Sequence, residues 1–384
     1  MRIVQANAVY DPSLATPDTL LDTYYTLTEW STALAAAGAT VSVVQRFYTD
    51  ATVERDGVTY NFVRDREVPW LSTTSAPREF IDAVVAQKAD VIHVNGLIFP
   101  AVIAALREKS GPHAVIVAQH HGGEFPIRGS GLIGAWQRRG WRRGLALADA
   151  ISFTAAGQAH PWREAGVLSG QRILEIVEAS TSLRPAPRER ARSIAGVDGD
   201  PVILWVGRLT TNKDPLTVVD GVERAAASMS GARLLMIFGD DTLLPEVEAR
   251  VNQSRVLRDM VTLVGRVERT EMPNYYGAAD VYVSGSHTEG SGYALIEAMA
   301  AGLVPVVTDI PSFRVIAGDT GRFWSLGNPD SLALALRAAC DGDRDLHRGN
   351  VRKQFDEHLS WPAIASRTLS EYQSVIDSTR DAAP

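Results

Sequence analysis

One cysteine in 384 residues, Cys340, excludes an intramolecular disulfide and a thiolate metal cage. Its surroundings, ALRAACDG, read as the end of a helix, where a thiol packs as a small hydrophobe. No apolar run approaches the roughly 20 residues that a bilayer-spanning helix needs. The opening MRIVQANAVY lacks the long apolar stretch and cleavage site of a secretory leader and reads as a first strand, so a cytoplasmic location is expected. A basic excess is missing too. The 38 Lys and Arg face 45 Asp and Glu, for a formal charge of −7, whereas a phosphate-backbone binder needs a basic footprint; no nucleic-acid partner is expected. Short-period repeats and low-complexity tracts are absent. No His, Cys and carboxylate cluster has metal-ligand spacing, and the pairs Asp198/Asp200 and Asp341/Asp343 imitate a metal-binding Asp-x-Asp only in turns.

The composition, 45% hydrophobic and 22% charged, is that of a globular protein whose length suits two domains. Strands such as RIVQANA, TVSVVQ, VTYNFV, DVIHVN and AVIVAQ alternate with helical stretches near residues 23–37, 78–88 and 100–109. The second half repeats the scheme with VILWVG, RLLMIFG, VTLVG, DVYVSG and VPVVTD. Such alternation predicts parallel sheets covered on both faces, an α/β fold with two Rossmann-like halves. The turn-rich stretch 183–201 marks the boundary, giving domains at residues 1–185 and 186–360.

Residues 286–309, SHTEGSGYALIEAMAAGLVPVVTD, join a glycine turn, a short helix and a buried strand. Gly290 and Gly292 let backbone approach a ligand where a Cβ would collide, and Gly302 suits the left-handed position that ends a helix. A helix N-terminus beneath a glycine turn presents unpaired amides to an anion. Glu289 before that helix and Glu297 on its second turn would repel phosphate, so ligand hydroxyls are their natural partners. The inferred ligand has a diphosphate at its middle and hydroxyl-bearing rings at both ends, which describes a nucleotide sugar. A second segment, VILWVGRLTTNKDPLTVVD over residues 202–220, places Arg208 and Lys213 in the loop at the carboxyl end of a strand. Ligands bind at that edge in open α/β folds, and both cations suit a diphosphate.

Together the segments resemble the retaining GT-B glycosyltransferases of the family 4-like, group 1 kind. The matching residues are Gly207-Arg208-Leu209, Lys213, and Glu289 through Glu297 with Ala298-Met299-Ala300-Ala301-Gly302. The family pattern has Gly after the Lys; here Asp214 stands there. The resemblance implies two Rossmann-like domains facing across a cleft, with the carboxyl-terminal stretch 361–384 returning to the first. It implies a nucleoside-diphosphate-sugar donor with UDP or GDP, an acceptor hydroxyl, retention at the anomeric carbon and no metal or other cofactor. Arg208 and Lys213 would bind the diphosphate, Glu297 the ribose and Glu289 the transferred sugar. Backbone at Gly207 and at Gly290, Ser291, Gly292 and Tyr293 would reach phosphates and sugar, and Arg266 and Val267 would meet the base. A sugar phosphorylase or epimerase of the same fold, or a non-catalytic sugar-nucleotide-binding protein, are the alternatives.

In the first half, AVIVAQ ends in His120-His121-Gly122. Family members place a His before a small residue there, against the donor sugar; His121 is the better match and His120 the alternative. His93 reads as a core histidine. The family's Gly-Gly after the first strand is missing, and residues 10–22 form a long loop assigned to the acceptor pocket. Gly129-Ser130-Gly131-Leu132-Ile133-Gly134 fits a dinucleotide fingerprint but lacks a leading strand and reads as a loop. The arginine-rich stretch 128–143 is either a solvated helix face or a weak peripheral membrane contact anchored by Trp136 and Trp141.

Overall fold

Strand β1 (Arg2–Asn7) buries five of its six residues, as expected of a strand covered on both faces. In the computed structural model, which describes residues 1–65, 74–122 and 131–381, it lies inside an eight-stranded sheet. The other strands are β2 (Thr40–Phe47), β3 (Ala51–Arg55), β4 (Val58–Arg64), β5 (Val91–Asn95), β6 (Val115–Gln119), β7 (Ala150–Phe153) and β8 (Arg172–Glu175). The order is β3-β4-β2-β1-β5-β6-β7-β8, and every pairing is parallel except the β3–β4 edge hairpin. That hairpin adds one antiparallel edge strand to the expected parallel sheet. Asp56 and Gly57 turn it, both at positive φ, the usual dipeptide of a two-residue hairpin turn.

The second sheet contains β9 (Val202–Gly207), β10 (Arg233–Phe238), β11 (Val261–Gly265), β12 (Val281–Ser284), β13 (Val304–Thr308) and β14 (Arg322–Trp324). Its order, β11-β10-β9-β12-β13-β14, is all parallel and doubly wound, so the connections diverge between β9 and β12. The chain divides into one unit of Met1–Glu178 with Trp361–Pro384 and another of Ala179–Ser360. Each has its own core, around Ile92, Phe80, Phe153 and Trp162 in the first and Trp205, Met236, Val283 and Trp324 in the second.

Four local readings are corrected. Residues 17–22 of the assumed loop are helical: Thr16 caps Pro17–Thr23, its hydroxyl accepting from the Thr19 amide at 3.1 Å, with Pro at the first helical position. A break at Tyr24 separates this helix from Tyr25–Ala36. The turn-rich boundary contains a helix, Arg188–Ala195, stopped by Gly196 in the left-handed region. Of the fingerprint-like loop, residues 129 and 130 fall outside the described residues and Gly131 opens the helix Gly131–Leu145. Trp141 on that helix is 6% exposed, with its ring centroid 5.6 Å from that of Trp162 in a tilted contact, so it is a core residue and no membrane anchor.

The helix Trp361–Asp381 completes the first unit. Its Trp361 indole donates to Glu29 at 2.8 Å, and the fully buried Tyr372 hydroxyl lies 2.5 Å from His93 Nδ1. His93 is thereby a satisfied core residue, and burial brings its pKa down to about 4.

Candidate active site

The loops that leave β9 and β12 flank the point where the second sheet's connections diverge, the place where open α/β sheets bind ligands. After β9 the chain makes a tight turn, Thr211–Lys213, and then Asp214 adopts φ 44°, ψ 56°. This left-handed conformation suits Gly and is tolerated by Asp. It explains how Asp214 can occupy the position where the resembled pattern has Gly. The Asp214 carboxylate also repays the substitution structurally, accepting from the Thr217 amide at 3.3 Å to cap the helix Pro215–Ala225.

The β12 loop is stitched to this turn. A Cβ on Gly285 would lie 3.0 Å from the carbonyl oxygens of both Lys213 and Asp214, so only Gly permits the approach without movement. Asn212 Nδ2 donates to the Thr288 carbonyl at 3.1 Å, and Asn212 Oδ1 accepts from the Thr288 amide and hydroxyl at 3.1 and 3.0 Å. The His287 amide donates to the Asn212 carbonyl at 2.8 Å. His287 Nε2 lies 3.3 Å from Asp214 Oδ2. This seam brings Lys213 Nζ into direct ion-pair contact with the Glu289 carboxylate, and each side chain is less than one-fifth exposed. Ser286, fully buried, donates its hydroxyl to the same carboxylate at 2.7 Å.

Past Glu289 the backbone of Gly290 and Ser291 is buried, and Gly292 at φ 61° opens the helix Tyr293–Ala300. A Cβ on Gly292 would meet Ile316 at 3.0 Å, and the glycine has no side chain with which to cap the first turn. Glu297, on the second turn, accepts from the Tyr276 hydroxyl at 2.8 Å; Tyr276 is itself fully buried on the helix Met272–Ala278. The helix ends as expected, with Gly302 at φ 77° and the Leu303 amide returning to the Ala298 carbonyl at 2.9 Å.

Arg208 is exposed at the head of the β9 loop, next to Gly207. Its charge contributes to holding Asp240 below the ordinary carboxylate range, after the larger effect of the Thr242 hydroxyl and amide bonds. Arg266 and Val267 follow β11 at the same sheet edge, two strands from β9, and the Arg266 side chain is 79% exposed.

In the first unit, β6 sends its two terminal histidines to different surroundings. His120 is 8% exposed, with its ring 4.9 Å from Phe153 and 5.8 Å from Trp162, and its Nδ1 accepts from the Gly122 amide at 3.2 Å. Burial lowers its pKa to about 4 and keeps it neutral. The His121 side chain is half exposed, and its Nδ1 lies 2.5 Å from the buried Glu178 carboxylate. Desolvation opposes charge on His121, but the Glu178 charge and hydrogen bond outweigh it and raise the pKa above the usual histidine range.

The comparisons with known proteins agree over most of the chain. Residues 187–357 match the family model for glycosyl transferases group 1, and residues 25–174 match that for the glycosyl transferase 4-like domain. A GDP-mannose:cellobiosyl-diphosphopolyprenol alpha-mannosyltransferase from Xanthomonas campestris is 25% identical over 306 residues, 77% of this chain and 76% of that protein. A D-inositol 3-phosphate glycosyltransferase from Kineococcus radiotolerans is 30% identical over 216 residues, 50% of this chain and 49% of that one. The fold superposes on sucrose-phosphate synthase from Thermosynechococcus elongatus with a TM-score of 0.68 at 21% identity, covering 98% of this chain and 99% of the other. The chain is a GT-B glycosyltransferase of the group 1, family 4-like kind.

In this glycosyltransferase the sequence-derived residues Lys213, Glu289, Gly290, Ser291, Gly292, Tyr293 and Glu297 fall on two loops and one helix start that touch one another. Arg208 shares the β9 loop, whereas Arg266 and Val267 stand apart at β11. Sequence reasoning missed Asn212, Ser286, Tyr276 and Glu178. Asn212 lies one residue from Lys213 and is the most findable, because a loop Asn is a common backbone-bonding residue. Tyr276 and Glu178 are separated from their partners by 21 and 57 positions and carry no local signal. The two Asp-x-Asp pairs are structural: Asp200 forms an ion pair with Arg344, and Asp343 caps the helix Arg344–Gln354.

Proposed function

We propose that this glycosyltransferase moves a hexosyl group from a UDP- or GDP-sugar to an acceptor hydroxyl, with retention at the anomeric carbon and without a metal ion. The observation that carries the reading is the Lys213–Glu289 contact at the divergence point of the second sheet, beside an N-terminus opened by glycine and within the same segment as Glu297. A diphosphate entering there would take Lys213 from Glu289 and receive the amides of residues 290–293, with Arg208 adding a second cation. These groups supply the positive charge that bond cleavage demands as the leaving diphosphate becomes more negative. Glu289, released from the ion pair, accepts from hydroxyls of the transferred sugar. Glu297, oriented by Tyr276, accepts from the ribose. By the resemblance His121 is assigned to the sugar, and the Glu178 carboxylate favours the protonated ring, which suits an oxygen-rich partner. With Glu297 on the ribose, the Glu289/Glu297 pair does not put two acids beside the anomeric carbon as a two-carboxylate glycosidase mechanism requires. Instead the acceptor attacks from the leaving-group face and a donor phosphate oxygen takes its proton. The Xanthomonas relative's donor, GDP-mannose, supports a guanine nucleotide, and its lipid-diphosphate-linked acceptor supports an acceptor of that type.

The deciding experiment incubates the protein with candidate donors and acceptors, follows nucleoside diphosphate release, and reads the anomeric configuration of the product by NMR in the presence and absence of a chelator. The expected result is acceptor-dependent release with a retained configuration, unaffected by the chelator. Lys213→Ala should reduce kcat/KM by about 100-fold or more. An inverted product, or a Lys213→Ala enzyme turning over at the normal rate, overturns the assignment.

A further inference from the structure

The helix Gly131–Leu145 carries Arg138, Arg139, Arg142 and Arg143 and no acidic residue, on a chain whose formal charge is −7. One side of it is built into the first unit. Trp141 and Leu145 are buried, and Gly144 fits so closely that a Cβ there would lie 2.4 Å from the Pro100 carbonyl oxygen. The other side faces out. Trp136 is 69% exposed, Leu147 just beyond the helix is 41% exposed, and Arg139, Arg142 and Arg143 are all exposed. Trp136, Arg139, Arg143 and Leu147 recur at helical spacing, so an apolar residue stands at each end of a stripe that holds two arginines. A hollow of about 370 Å³ runs alongside, lined by Pro100, Ala101, Ala104 and Leu147 together with Arg139 and Arg143. Nothing lies within 4 Å of where a Gly140 Cβ would stand, so the hollow is open at that point.

We infer that this face docks the protein reversibly on the surface of a bilayer containing anionic phospholipids. An exposed Trp beside arginines is the composition of an interfacial helix: the indole sits at the headgroup boundary and the guanidinium groups meet lipid phosphates. The local positive charge against a negative whole selects an anionic surface. The mixed apolar and cationic lining accepts both parts of a phospholipid, an acyl segment and a phosphate. Each arginine near such a surface contributes about 1 kcal/mol, so three give a contact that forms and releases and weakens with salt. The inference does not rest on the proposed reaction, since bilayer binding requires neither donor nor turnover.

The test is flotation of the full chain with vesicles of phosphatidylcholine alone and of phosphatidylcholine mixed with phosphatidylglycerol, over a range of salt. Association is expected only with the phosphatidylglycerol vesicles and should fall as salt rises. The combined change Arg139→Gln, Arg142→Gln and Arg143→Gln should weaken partitioning about 100-fold. Trp136→Gln should weaken it with the charge intact, which separates insertion from simple ion exchange. Because all four side chains are exposed, the variants should keep the wild-type circular dichroism and melting temperature, and a variant that does so is a valid comparison. Failure of the wild type to float with anionic vesicles overturns the inference. So does equal flotation with neutral vesicles, or unchanged flotation of the folded triple variant, which would point instead to a protein partner for this face.

Discussion

Asn212 makes three side-chain hydrogen bonds to Thr288, and through them the loop that carries Lys213 is held against the loop that carries Glu289. Asn212→Ala removes all three. Because Thr288 is exposed and water can replace the lost partners, folding stability should fall by no more than about 1 kcal/mol. Donor KM should rise about tenfold with a smaller loss in kcat, since the residue positions the site and does not touch the reacting bond. A steady-state comparison with the wild type, together with a melting curve, checks both halves of that expectation.

The adjacent histidines make opposite predictions about pH. His120, with its pKa lowered to about 4, stays neutral in the folded state while the unfolded chain takes up a proton below about 6.5. Its contribution is a loss of stability as pH falls from about 6.5 towards 4. His121 has a raised pKa, so its stabilising effect is fully present below about 6.5 and disappears as pH rises through the folded value. Melting temperatures measured against pH should therefore show a shallower acid slope for His120→Asn and a shallower alkaline slope for His121→Gln. Sequence alone ranked His121 above His120 only by resemblance, because neighbouring residues at a strand end turn to opposite faces and only the packing of Phe153 and Trp162 says which face is core.

At the scale of elements, the helices and strands with internal signals were readable. The helix Tyr293–Ala300 and strand β13 follow from a run of helix formers, a terminating glycine and an uncharged apolar strand. The helix Pro17–Thr23 was legible in principle from Thr16-Pro17, a cap followed by Pro at the first position, but the surrounding Pro and Asp residues read as a loop. Short edge strands such as β8 and β14 have too few residues to show periodicity. The helix Trp361–Asp381 illustrates a dependence that sequence cannot price. Its Tyr372 hydroxyl partners the buried His93 across 279 residues. Tyr372→Phe should leave that imidazole nitrogen without its partner and cost about 1–3 kcal/mol, read as a lower denaturant midpoint with an unchanged slope.

For the whole molecule, a ligand that binds only the folded state adds stability by mass action, about 2.7 kcal/mol at one hundred times its dissociation constant. Screening UDP- and GDP-sugars by thermal shift should therefore single out the donor. The shift should vanish in Lys213→Ala, and an equal shift in that variant would remove Lys213 from the donor site.

The sequence by itself determined the two parallel-sheet units and singled out Lys213, Glu289 and Glu297 as candidates, because period, glycine placement and motif spacing are local and survive without coordinates. Tertiary structure alone decided that Lys213 and Glu289 pair, that Asn212 fastens their loops, and that Tyr276 orients Glu297. It also decided that Trp141 is core while Trp136 faces solvent. Each of these is a meeting of side chains from separate elements, set by how strands order themselves in a sheet and how helices pack on it. No pattern within one segment records such a meeting.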